Sequence, residues 1–143
     1  MITPAPAPEM RDTTINFGKA NPQPREVNDW YIEPVEAVEA LLRAERFSGA
    51  SWDPACGIGT IPLAMESEGH DALGSDLADR TEGAYPIHDF LGDQRGPRVT
   101  PDNVVCNPPF KLARQFVDKA LTIASHKVAM LLPLTFLEGQ ARA

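Results

Sequence analysis

Cysteine is scarce in this 143-residue chain: Cys56 and Cys106 are the only two. Both fall in candidate site loops, so a disulfide framework is not expected and a reducing cytoplasm fits better. Histidine occurs three times, and no Cys/His cluster has metal-ligand spacing, so no metal is expected. No apolar run approaches the roughly 20 residues that a membrane span needs. The first residues show no basic flank followed by an apolar stretch, which argues against a signal peptide. Positive charge is also in deficit. Lys and Arg number 13 against 20 Asp and Glu, giving a net charge of −7. This argues against a broad basic face for DNA, because nucleic-acid binding is dominated by phosphate neutralisation. It leaves room for a local basic lip, and Lys111, Arg114 and Lys119 cluster where one would serve.

What is present is organised around Ser51–Thr60, which reads SWDPACGIGT. The stretch has the form of a strand running into a glycine-rich turn and a helix. Gly57 and Gly59 let backbone approach a ligand, since glycine lacks a Cβ and tolerates positive φ. Around it the length fits one domain. Residues 1–28, rich in Pro, Thr, Asn and Gln, read as a flexible tail, with residues 29–143 as the folded domain. Trp30 and Tyr31 read equally as a hydrophobic plug or as a cofactor wall. Pro34 suits a first helical turn, and Val35, Val38, Leu41, Leu42 and Phe47 follow at helical spacing. Short strands are expected over 50–52, 72–75, 84–88, 103–106 and 127–132, the last apolar enough to be buried on both faces. Helices are expected after Gly59 as far as Gly69, and around Leu112, Phe116, Val117, Ala120 and Leu121. His88 reads as a strand-end packing residue.

This alternation predicts an α/β fold, a Rossmann-like three-layer sandwich with a mostly parallel sheet. Ligands of such sheets bind beyond the carboxyl ends of the strands. Asp53, Asp76, Asp89 and Asn107 all fall at expected strand ends.

The glycine loop excludes two common ligands. Pro62 stands where a dinucleotide fingerprint needs its third glycine, and no GK[ST] follows to make a P-loop. No lysine meets a pyrophosphate, and Asp53 would repel one. Asp76, about twenty residues past the loop, stands where an acid accepts from ribose hydroxyls. A ligand with a ribose, without phosphate and with positive charge fits these residues. S-adenosylmethionine meets all three conditions.

With DPACGIGT followed by GSDL, HDF and NPPF, the chain resembles a class I S-adenosylmethionine-dependent methyltransferase. More narrowly it resembles the amino-methylating branch that includes DNA adenine-N6 methyltransferases, and the small enzymes of phage and prophage genomes. The resemblance spans about Asp29 to Arg142. It implies that Asp53, Gly57 and Gly59 approach the methionine end of the cofactor, with Tyr31 and Pro34 lining that end. It implies that Asp76 binds the ribose, Leu77 packs on the adenine, and Asp89 accepts from its amino group beside Phe90. Glu33 stands where the family often has Thr or Ser. Asn107, Pro108 and Phe110 would form the catalytic site. An exocyclic amine is a poor nucleophile, and acceptors on both of its protons draw the lone pair out of conjugation. The Asn107 side-chain carbonyl and the Pro108 backbone carbonyl supply two acceptors. Phe110 offers a face for stacking.

The expected activity is therefore methyl transfer to an exocyclic amine, adenine N6 in DNA first, with the base flipped out of any duplex. A protein glutamine amide, an RNA adenine, or an inactive cofactor-binding domain are the alternatives. The family's sheet has two further strands, so the domain is expected to be truncated after strand 5. The edge of that strand would then be covered by a second copy or another partner.

Overall fold

The computed structural model describes residues 32–92 and 100–141. The expected tail, together with Trp30 and Tyr31, lies outside these residues. Helix α1 spans Val35–Ala44 behind Pro34, whose extended backbone (φ −69°, ψ 137°) opens it. Strand β1, Ala50–Asp53, leads through the glycine loop into α2, Thr60–Ser67. Strand β2 is Asp71–Gly74 and β3 is Asn103–Cys106. A short 3₁₀ turn, Phe110–Leu112, precedes α3, Ala113–Ile123. Strand β4, Lys127–Met130, and α4, Thr135–Ala141, complete the order.

The sheet runs β2-β1-β3-β4 with every pair parallel. Trp52 stands opposite Leu73 on one side and Val104 on the other, and Val104 stands opposite Val128. Successive strand residues point to opposite faces, so β3 feeds two cores. Val105 joins Val38, Phe47, Ile61, Ala64 and Met65 beneath α1 and α2. Val104 and Cys106 join Trp52, Phe90, Phe116 and Ala120 beneath α3. Helices on both faces of a parallel sheet give the Rossmann-like three-layer architecture.

Two expectations change. The stretch 84–88 is not a strand but a single parallel bridge, Asp76 to Ile87. Pro86 lies within it and cannot donate to a ladder. A turn with positive φ at Glu82 (56°) and Gly83 (90°) immediately precedes it. Strand β4 is half-buried throughout instead of fully enclosed. Its outer edge has no strand beside it among the described residues.

At the amino ends of the strands, Asp102 locks the sheet. It accepts from the Ala50 amide (2.9 Å) and from the Ser125 hydroxyl (2.9 Å). Gly49 has φ +80°, and a Cβ there would lie 2.0 Å from an Asp102 oxygen. This end is closed, so the open chemistry lies at the other.

Candidate functional site

Strand β1 connects to β2 on one side and pairs with β3 on the other, so the strand order reverses between β1 and β3. The carboxyl ends of these strands, Asp53 and Cys106, flank that reversal, where open α/β sheets bind ligands. A cavity of about 480 Å³ opens there. It is the size of a small-molecule site.

One wall is the glycine loop. The Cys56 amide donates to Ser75 O (2.9 Å), and the Ser75 amide to Asp53 O (3.0 Å). These bonds stitch the loop to the end of β2. Gly57 has φ 57°, and its amide donates to Asp76 Oδ2 (2.8 Å). Asp76 Oδ1 accepts from the Ala78 amide (3.1 Å) and pairs with Arg80 (3.4 Å). The loop and the acid that the ribose reading singled out are thus one unit. Gly59 serves differently. It has φ +94°, and a Cβ there would lie 2.5 Å from the Tyr85 hydroxyl. That glycine makes room for a tyrosine ring and does not line the cavity.

The acids differ in their surroundings. Asp53 is 2% exposed and stands behind the cavity wall. Its Oδ1 accepts from the Ala55 amide (3.1 Å), whereas its Oδ2 is buried without a hydrogen-bond partner. Burial, then the charge of Glu33, pushes the Asp53 carboxyl well above its ordinary range. Glu33 is 7% exposed and does line the cavity. Burial raises its pKa too, opposed by hydrogen bonds from backbone and from Asn107. The Cys56 and Cys106 thiols are both pushed up, first by burial and then by the charge of Asp53. They stay protonated and are poor nucleophiles.

The facing wall is Asn107-Pro108-Pro109, continuing directly from β3. Asn107 Nδ2 donates to Glu33 Oε2 (3.2 Å). Pro108 is fully buried, and Pro109 has φ −58°. Below, Phe90 meets Trp52 edge-on (5.2 Å between ring centroids) and Phe116 at a tilt (4.9 Å). Trp52 also lies 5.5 Å from the His88 ring and donates its Nε1–H to Ser75 Oγ (2.9 Å).

Of the sequence-derived site residues, Gly57, Asp76, Leu77, Asp89, Phe90, Asn107 and Pro108 line this one cavity. Leu77 is 58% exposed there, a large apolar side chain turned to an open wall. Asp89 Oδ1 accepts from the Gly92 amide (3.0 Å). Pro34, Asp53, Gly59 and Phe110 are not on the wall. Tyr31 lies outside the described residues. The expected basic lip is dispersed. Lys111 lines the cavity, but Arg114 bonds Asp118 (3.3 Å) along the outer face of α3. Lys119 turns inward, donating to Phe90 O with its ammonium 5.2 Å from the Phe90 ring centroid.

Sequence reasoning missed Glu33, Ile58, His88 and Arg80 as wall residues. Glu33 carried a signal, since the resemblance leads one to expect Thr or Ser there. Arg80 carried one as well, four residues after Asp76 and able to reach back to it.

Fit to S-adenosylmethionine can be judged from the walls. Carboxylates of Glu33 and Asp76 suit a cationic, hydroxyl-bearing ligand, while Ile58, Leu77 and Phe90 suit a planar base. No lysine stands in the loop to receive a phosphate. These acceptors and apolar faces fit S-adenosylmethionine.

No protein-family model matches the chain, and no curated protein matches it. Among solved structures it is similar to one from Pyrococcus horikoshii described as a "putative RNA methyltransferase". The TM-score is 0.61 at 18% identity, covering 93% of this chain and 80% of that one. Likeness at this identity is a likeness of fold, and it agrees with the parallel, helix-flanked sheet described above.

Proposed function

We propose that the chain transfers a methyl group from S-adenosylmethionine to an exocyclic amino group, with adenine N6 in DNA as the acceptor. One observation carries this reading: Asp76 with its glycine loop, and Asn107-Pro108-Pro109, line the same cavity from opposite sides of the strand-order reversal. One wall suits a nucleoside, and the other suits a planar amine.

When bound, S-adenosylmethionine supplies an electrophilic methyl group, whose transfer forms an N–C bond, breaks the S–C bond and releases one amine proton to water. The protein's own work is placement, which can supply a large part of a barrier reduction. Asp76 accepts from the ribose hydroxyls, held for that task by Gly57 and Arg80. Leu77, Ile58 and Phe90 pack on the adenine ring. Asn107 Oδ1 and the Pro108 carbonyl accept from the two amine protons. The carboxyl groups of Glu33 and Asp53 add negative potential at the β1 end as pH rises through their raised pKa values, which favours a cation there.

A second reading, RNA adenine, is favoured by the description of the structural neighbour. Transfer of labelled methyl groups to plasmid DNA, RNA and protein, with Asn107→Ala as control, separates the acceptors. Label in DNA adenine supports the leading reading. Label in RNA alone moves the assignment to RNA, and label in protein alone moves it to a glutamine amide. Calorimetry showing tight cofactor binding with no turnover on any acceptor would make the domain a cofactor binder instead.

A further inference from the structure

We propose that Glu33 is a positioning residue: its carboxylate holds the amide nitrogen of Asn107 and so turns the amide oxygen toward an acceptor amine. The inference rests on the methyl-transfer reading and deepens it. The bond is Asn107 Nδ2 to Glu33 Oε2 at 3.2 Å, across 74 residues of sequence. It ties the segment before α1 to the end of β3, and both residues line the 480 Å³ cavity. Glu33 also faces a smaller apolar cavity of about 140 Å³, walled by Val38, Leu41, Ile61 and Met130. Apolar groups behind the carboxylate leave it few partners other than Asn107.

The chemistry needs such a residue. An asparagine amide has an acceptor end and a donor end of nearly the same shape. Only the acceptor end can orient an amine by taking its proton. An ionised carboxylate is acceptor-only, so it binds the NH₂ end and excludes the flipped rotamer. The bond is charge-assisted, which makes it about twice as strong as a neutral one. A protonated Glu33 offers a donor as well as an acceptor, and the selection is lost. Thr or Ser at this position is both donor and acceptor and does not select so sharply.

The titratable groups whose charges act on one another with Glu33 are Asp53, Cys56 and Cys106. Asp76, Arg80, His88, Asp89 and Lys111 stand elsewhere on the cavity wall. Burial raises the pKa of Glu33, so its bond to Asn107 loses the charge at a higher pH than a solvated glutamate would.

The test uses the full chain, labelled with ¹⁵N. The Asn107 side-chain amide resonances are assigned by their loss in Asn107→Ala. In the native protein they shift through one titration as pH rises above the ordinary carboxylate range. In Glu33→Gln, which keeps size and hydrogen bonding but offers both a donor and an acceptor, that titration is absent. Methyl transfer by Glu33→Gln has a kcat lowered about tenfold or more, by analogy with lost outer-shell partners. In the same variant the low-pH limb of the kcat profile disappears. Asn107 resonances that do not titrate in the native protein, or that titrate equally in Glu33→Gln, overturn the proposal. If the resonances behave as expected but no acceptor is methylated, the coupling stands and the methyl-transfer reading falls.

Discussion

Gly59 shows how a single residue can be right in type for one reason and present for another. In the sequence it completes a glycine pair beside a ligand, but in the fold it makes room for Tyr85. Replacing it with alanine places a Cβ 2.5 Å from the Tyr85 hydroxyl at φ +94°. Strain at positive φ costs about 1–3 kcal/mol, and displacing the ring adds to it. Gly59→Ala is therefore expected to lower urea stability by about 2 kcal/mol or more, and Gly59→Ala with Tyr85→Ala to recover the steric part only. Asn107 makes the opposite prediction. It is half-buried at a strand end, and its removal leaves no large void. Asn107→Ala should retain cofactor affinity within about threefold by calorimetry. It should lower kcat by about 10²–10³, the scale of losing one preorganised hydrogen-bonding group. A comparable loss of cofactor affinity would remove Asn107 from the acceptor side of the cavity.

At the scale of elements, the apolar stack Trp52–Phe90–Phe116 underlies the cavity, with Phe90 and Phe116 on its wall. It joins β1, the loop after β2, and α3, so it fixes how the two walls face each other. Phe116→Ala is expected to cost about 3–5 kcal/mol, as buried Phe truncations do, measured by urea unfolding. It should weaken cofactor binding as well, because Phe116 also lines the cavity. The elements themselves were legible where local chemistry decides. Helices α1, α2 and α3, and strands β1, β2, β3 and β4, fall within a few residues of their sequence periodicity. The strand-end polar residues likewise pointed to the right end of the sheet. What stayed hidden was set by tertiary partners. The 84–88 stretch has strand-like composition, but Pro86 allows it only one bridge. Lys111 stands in the 3₁₀ turn and Lys119 in α3, where Lys119 finds the Phe90 carbonyl and ring inside. Glu33 lies 74 residues from Asn107, and no local pattern links them.

The whole molecule carries an electrostatic tension that its stability should report. Glu33 and Asp53 are buried acids whose pKa values the fold raises, Asp53 far more than Glu33. A raised folded-state pKa means that the folded chain holds these protons more tightly than the unfolded chain. Their contribution to stability is therefore full below the unfolded pKa and is lost as pH rises through the folded one. Glu45, Asp79 and Asp102 work in the opposite sense: hydrogen-bonded carboxylates with lowered pKa values, whose stabilisation is lost only as pH falls below the ordinary range. The two windows lie on opposite sides of the ordinary carboxylate pKa. The ligand-free protein should gain thermal stability as pH is lowered from about 8 to about 5, and lose it only in stronger acid. Relief of the net charge of −7 contributes in the same direction, so the slope alone does not identify the residue. Asp53→Asn does. It removes the buried charge at nearly constant shape, and its own share of the pH dependence must vanish. The variant is expected to melt above the native protein near neutral pH. The difference should shrink as pH falls and the native Asp53 takes up its proton. A native protein whose melting temperature falls steadily over that range, or an Asp53→Asn variant with an unchanged slope, would show that Asp53 is not ionised against its surroundings. The carboxylate field assigned to the β1 end of the cavity would then be absent.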